Sequence, residues 1–186
     1  DENFEIIVTD QSDAPKPLEG CQHIITTTSG PCVSRNIAVN ASKGDILVFL
    51  DDDARIQSDF LKEIIEPIRK KCFHAVAGAI CDPAGNYKTT EDRYLTRNDS
   101  NFLKVITSNP NHGTSRITLA IPAGCMAITR ESFEAIGGFE EDFDPSGAGE
   151  DRELAIKLYK AGYPIWYNAK AKLLHEVQAE GGSRDV

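Results

Sequence analysis

Apolar and polar positions fall in blocks along the chain, and their spacing predicts strands alternating with helices. Phe4 to Val8 is a short β-branched run ending in Thr9-Asp10, with a polar Gln-Ser-Asp-Ala-Pro turn behind it. It reads as a strand that delivers a carboxylate to a loop. A second strand spans His23 to Thr28. After Ser29-Gly30-Pro31, the apolar positions Val33, Ile37, Ala38 and Ala41 recur at helical spacing, with Gly44 placed to stop the helix. Asp45 to Leu50 is continuously apolar after its first residue, the pattern of a strand buried on both faces in a parallel sheet. It empties directly into Asp51-Asp52-Asp53.

Ser58 can cap a helix whose Phe60, Leu61, Ile64, Ile65 and Ile68 form one face, and Pro67 should kink or shorten it. Phe73 to Ile80 is a further strand. From Cys81 to about Ser115 the composition turns polar, which predicts a long insertion or lid with one strand near Phe102 to Ile106. Order resumes with strands at Ile117 to Ile121 and Cys125 to Thr129, then a short helix from Glu131 to Gly137-Gly138. A clearer helix follows Glu150, with Leu154, Ala155, Leu158 and Tyr159 facing inward, and strands at Pro164 to Asn168 and Lys172 to Val177 come last. This order predicts a three-layer α/β/α sandwich with a mostly parallel central sheet.

A length of 186 residues with 40% hydrophobic positions fits one domain and one core. The formal net charge of -9 argues against binding nucleic acid, which needs clustered Lys and Arg. Cys21, Cys32, Cys72, Cys81 and Cys125 are odd in number and never paired as CxxC, so they read as reduced, mostly core thiols. No apolar run has membrane-spanning length and no signal-peptide pattern opens the chain. The expectation is a cytoplasmic protein, peripheral at the inner membrane face in a longer form. The polar tail GGSRDV and the early first strand suggest a fragment: truncation at the N-terminus is expected, with the C-terminus as a second candidate.

Three consecutive aspartates are ordinarily a solvated turn. In open α/β sheets, however, ligands bind outside the carboxyl ends of the strands, where Asp51 to Asp53 stand. Like charges crowded there repel unless a cation is bound. A hard divalent ion such as Mn²⁺ or Mg²⁺ prefers oxygen ligands and takes one or two carboxylates plus substrate phosphates.

At these residues the sequence resembles the inverting glycosyltransferases of family two, which use nucleotide sugars on the GT-A fold. VFLDDDA resembles their aspartate (DXD) motif. EIIVTDQSD is similar to their nucleotide-binding loop, GPCVSRNIAVNASKGDILVFLDDD to their Gly-x-x-x-Ala-Arg-Asn segment, and GGFEEDFDPSGAGEDRELAIKLYKAG to their acceptor-side block. By position, the resemblance implies that Asp10 contacts the nucleobase and Arg35 shapes the nucleotide pocket. It further implies that Asp51 and Asp52 hold ribose and diphosphate, and that Asp53 ligates Mn²⁺ or Mg²⁺. Plain structural readings stand beside these: Asp10 and Asp13 as side-chain turns, and Ser34-Arg35-Asn36 as one exposed helical turn.

Gly147-Ala148-Gly149-Glu150-Asp151 precedes an amphipathic helix, where acidic residues are favoured by the helix dipole in any case. The same placement aims an ionised carboxylate out of the helix end, as a general base requires. The resemblance assigns that base to Asp151 and an acceptor-orienting role to Glu150. His175 reads either as a packing residue or, by resemblance, as a group reaching the metal or diphosphate. Gly124 is either a strand bend or a close approach to donor sugar or acceptor.

The resemblance implies a UDP-sugar donor and a glycan or lipid-linked acceptor. It departs at the start, because nothing before Phe4 corresponds to the family's first strand and helix. Such a gap would leave sheet edges open to self-association. Two rival readings remain: a nucleotidyltransferase making nucleotide sugars, whose Gly-rich basic loop is not found here, and a non-catalytic carbohydrate- or cation-binding module.

Overall fold

The computed structural model describes residues 3–87 and 111–175. The expected strand at Phe102 to Ile106, most of the polar insertion and the residues after His175 lie outside them. Strand β1 (Ile7–Asp10) pairs in parallel with β2 (Gln22–Ile25). Helix α1 (Pro31–Ala41) leads to β3 (Ile46–Leu50), β4 (Ala54–Ile56), α2 (Phe60–Arg69) and β5 (Ala75–Cys81). After β6 (Arg116–Thr118) come β7 (Cys125–Thr129), α3 (Arg130–Ala135), α4 (Glu150–Lys160) and β8 (Ile165–His175).

Six of these strands form one sheet in the order β3-β7-β5-β8-β4, with β6 also on β8. The α/β class and the helix-covered sheet match the expectation, but the sheet is mixed rather than mostly parallel. β5 pairs with β8 in parallel, whereas the β3–β7, β5–β7, β4–β8 and β6–β8 pairs are antiparallel. The apolar run of β3 therefore does not report strand direction, nor burial on both faces: β3 ends the strand order, and of its five residues only Leu47 and Phe49 are buried while Leu50 is exposed. Its neighbour β7 is equally apolar and runs the other way.

One face of the sheet is covered by α2, whose Phe60, Ile64, Ile65 and Ile68 pack on Val76, Ala127, Ala171 and Leu173. The other carries the larger core, where Leu47, Phe49, Met126 and Ile128 meet Phe133, Leu154 and Leu158. Each such side chain taken fully out of water contributes roughly 1.5–3 kcal/mol before entropy is counted.

Several boundaries differ from the sequence reading for identifiable reasons. Helix α1 ends at Ala41, before Gly44, because Ser42 turns extended and its N–H and hydroxyl both donate to the Val39 carbonyl. Arg130 reinforces that end through Ser42 Oγ at 2.6 Å and Gly44 O at 3.0 Å. Asp59, not Ser58, occupies the N-cap position of α2, and Pro67 is held inside the helix's final turn. Tyr159 is exposed, whereas Leu154, Ala155 and Leu158 are buried. The two final strands are one: Gly78 faces Asn168 and the next residue, Ala79, faces Lys172, so Ala169 to Ala171 bulge from a continuous β8. The short β4, unanticipated in sequence, pairs with the end of β8.

Among the described residues, β1–β2 does not pair with the larger sheet, whose edge on that side is β3. Glu5 links the two, its carboxylate accepting from Lys43 N–H at 2.6 Å and Gly44 N–H at 3.0 Å. None of the five cysteines is in a disulfide among the described residues; Cys32, Cys81 and Cys125 are buried. No helix among the described residues is long and apolar enough to cross a membrane.

Candidate active site

Strands β3, β5 and β8 run in one direction and β7 in the other, so Asp51, His175 and the Gly124 end of β7 gather at one edge of the sheet. Asp51 leaves β3 with its N–H bonded to the Gly124 carbonyl at 3.2 Å. Its carboxylate lies against Gly124 so closely that a Cβ there would fall within the carboxyl group. A side chain there would have to displace the Asp51 carboxylate.

Arg35 joins this cluster from α1. Its guanidinium donates to Asp51 Oδ1 and to Glu150 Oε1, each at 3.2 Å, and lies 5.2 Å from the centre of the Phe139 ring. The side chains of Arg35 and Glu150 are only 17% and 15% exposed, against 42% for Asp51. The Arg35–Glu150 pair is thus the shielded half of the bridge, and Asp51 is the half open to a ligand. Two ends of the chain, the aspartate turn and the start of α4, are fastened through one planar cation.

Asp53 comes to His175 by strand pairing. Ala54 stands opposite His175 in the β4–β8 ladder, which brings His175 Nε2 to 3.3 Å from Asp53 Oδ2. The other ring nitrogen, Nδ1, is buried and has no hydrogen-bond partner among the described residues. Among the described residues no three His, Cys, Asp or Glu side chains converge as a ready metal cage. What exists is a two-residue pair, one oxygen donor and one imidazole. Asp52, between Asp51 and Asp53, is exposed.

Asp10 ends β1, and the loop after it is tied to the start of α1, since Gln11 bonds the Thr28 and Gly30 carbonyls. Its carboxylate accepts from Ser12 N–H at 2.9 Å, Ser12 Oγ at 2.6 Å and His23 Nε2 at 3.0 Å. The two Ser12 hydrogen bonds, with His23 behind them, hold its pKa below the usual aspartate value. His23 was not singled out in the sequence. In parallel register it stands opposite Val8, on the same side of the strand as Asp10.

Asp144 is a second unanticipated residue. It accepts from Cys32 N–H at 3.0 Å and Val33 N–H at 2.8 Å, capping α1 from a point more than a hundred residues away. A Cβ at Gly30 would collide with that carboxylate. Burial, and then Asp144, push the Cys32 thiol up to about 12. Nothing local in the sequence marks Asp144, because a long-range cap has no spacing rule.

Glu150 and Asp151 open α4, whose N-cap residue is Gly149 with no side-chain cap. Asp151 accepts only from the adjacent Arg152 N–H, at 2.7 Å, among the bonds described. The structure therefore joins Arg35, Asp51, Gly124 and Glu150 in one cluster, pairs Asp53 with His175, and leaves Asp151 beside Glu150. Asp10 forms its own group with His23.

A mixed sheet between helical layers, with acidic residues at the carboxyl edge of its strands, has the architecture of the nucleotide-diphospho-sugar transferases of GT-A type. The chain belongs to glycosyl transferase family 2, whose family model matches residues 1–137. It is 30% identical over 157 residues to the O-antigen chain rhamnosyltransferase WbaN of Salmonella anatum, covering 76% of this chain and 44% of that protein. It is 26% identical over 149 residues to the succinoglycan biosynthesis protein ExoA of Rhizobium meliloti, covering 80% and 43%. The chain thus spans less than half the length of these relatives. Two solved structures share the fold. GalNAc-T7 with UDP, GalNAc and Mn²⁺ superposes at TM-score 0.71, with 18% identity over 96% of this chain and 38% of that one. The mannosyltransferase PcManGT of Pyrobaculum calidifontis with GDP-Man and Mn²⁺ gives 0.64, with 19% identity over 95% and 49%.

Proposed function

We propose that residues 1–186 act as the catalytic domain of a longer glycosyltransferase. It moves a sugar from a nucleotide diphosphate, with UDP the favoured nucleotide, to an acceptor hydroxyl with inversion at the anomeric carbon. The observation that carries this reading is the gathering of Asp51, Asp53, His175 and Glu150 at one sheet edge, in a chain of this family.

Asp53 and His175 fit a divalent cation: their facing atoms are an acidic oxygen and an imidazole nitrogen 3.3 Å apart, both of which accept a cation. Two protein ligands suit Mn²⁺ or Mg²⁺, which leave their remaining positions to phosphate oxygens and water. When bound, such an ion offsets the negative charge that grows on a departing diphosphate.

The chain's own residues supply the rest. Asp10, kept ionised, accepts a hydrogen bond from the nucleobase. Asp51 and Asp52 meet the ribose and diphosphate. Arg35 holds Asp51 and Glu150 in place, Glu150 orients the acceptor, and Gly124 gives room beside Asp51. Asp151 takes the proton of the acceptor hydroxyl as its oxygen attacks the anomeric carbon opposite the leaving group. One carbon–oxygen bond forms, one breaks, and the electron pair leaves with the nucleoside diphosphate, so the configuration inverts once.

Calorimetric titration with UDP, with and without Mn²⁺, tests the proposal. Binding in the wild type should require the ion and should vanish in Asp53→Ala. Equal UDP binding with and without Mn²⁺ would rule the metal pair out.

A further inference from the structure

A cavity of about 540 Å³ opens between the turn that ends at Tyr87, the His112 loop and Lys172 of β8. It adjoins the sheet face that carries α1 and α4, because Tyr87 and Leu174 pack against that core. It is also close to the transfer site proposed above. Tyr87 bridges Cys81, Cys81 faces Leu174 in the ladder, and Leu174 immediately precedes His175.

The chemistry of its lining is unlike the rest of the molecule. The chain carries a formal charge of -9, yet among the described residues no acidic side chain lines this cavity. Lys172 Nζ donates to the Gly85 carbonyl at 3.3 Å and lies 4.5 Å over the Tyr87 ring. An ammonium has three N–H donors, so two remain for a ligand. His112 Nδ1 accepts the Thr114 N–H at 3.2 Å, which leaves the neutral ring's proton on Nε2 as a further donor.

These donors are set before any ligand arrives. The His112 N–H donates to the Tyr167 hydroxyl at 3.0 Å, and that hydroxyl donates back to the His112 carbonyl at 2.7 Å. Asn111, 2% exposed, accepts the Ile80 N–H at 2.8 Å. Two buried side chains therefore pin the loop to the sheet, and a fixed excess of donors on a lining whose described residues hold no carboxylate favours an anion.

We propose that this cavity is an acceptor subsite for an oxyanion, a phosphate or carboxylate carried by the acceptor glycan, with Lys172 as its charge partner and His112 Nε2–H as its second donor. The word acceptor rests on the glycosyltransferase reading; the oxyanion site does not.

The probes are inorganic phosphate and glucuronate, titrated separately into the whole chain while the imidazole resonances are followed by NMR. His112 is assigned by its loss in His112→Gln. Saturable movement of the His112 signal by one of the probes is expected, with at least a tenfold weaker apparent affinity in Lys172→Met and near-native affinity in Lys172→Arg. The probe that binds tells phosphate from carboxylate. A His112 signal that neither probe moves, or one that moves equally in Lys172→Met, would overturn the site. Binding of UDP with Mn²⁺ should be the same in wild type and Lys172→Met. Oxyanion binding in a wild-type chain that fails to bind UDP with Mn²⁺ would keep the anion site but overturn its role as an acceptor subsite.

Discussion

Arg35 and Asp151 are separated by a single residue's reach, through Glu150, yet they are held in opposite ways. Arg35 is fixed by partners from three parts of the chain: Asp51 after β3, the Phe139 ring and Glu150 of α4. Among the described residues Asp151 has one bond, from the amide of its own neighbour. Groups that must hold a ligand's geometry are over-determined, because any slack costs precision. The base proposed for the transfer keeps unspent lone pairs at a helix start, where its charge is favoured.

The sharpest way to break this contrast is Asp151→Asn. Transfer should fall about 10²–10⁴-fold, the usual worth of a general base, while UDP and Mn²⁺ still bind. Unchanged turnover would remove Asp151 from the mechanism. Next in size is His175→Ala, which leaves Asp53 without its imidazole neighbour. Mn²⁺-dependent UDP affinity should drop by more than the ~10–100-fold that loss of an outer-shell partner costs. A titration with unaltered affinity would show His175 to be a packing residue.

Gly124→Ala tests the fixed cluster directly. The added methyl must displace the Asp51 carboxylate, at a cost of about 1–3 kcal/mol in stability, read as a lower denaturation midpoint at constant slope. Asp144→Ala should have the smallest effect. Two amides of α1 lose their acceptor, for about 0.5–2 kcal/mol. Each kcal/mol should lower Tm by roughly 2–4 °C in a chain of this size.

The legible parts of the sequence were those with local causes. The continuous run of β3, the apolar face of α2 and the core positions Leu154, Ala155 and Leu158 of α4 follow from spacing and burial alone. Also legible, through the family resemblance, were Asp51, Asp53, Arg35, Glu150 and His175 as candidates. How they meet was not. His175 reaches Asp53 only because β4 pairs with β8, and β4 is too short to show a period. Asp144, His23 and Phe139 act across long sequence separations, where no spacing rule applies. Strand direction was misjudged because a two-sided apolar run is blind to the polarity of its neighbours.

The bulge at Ala169 to Ala171 has a consequence for how this domain tolerates change in length. Side chains alternate faces along β8, so Lys172 and His175 are phased to opposite sides by the count of residues that follows the bulge. Deleting a single residue there would rotate the strand's tail by half a period, presenting the imidazole to the wrong layer while leaving composition untouched. Insertions and deletions should therefore be purged from this three-residue span more strictly than substitutions are.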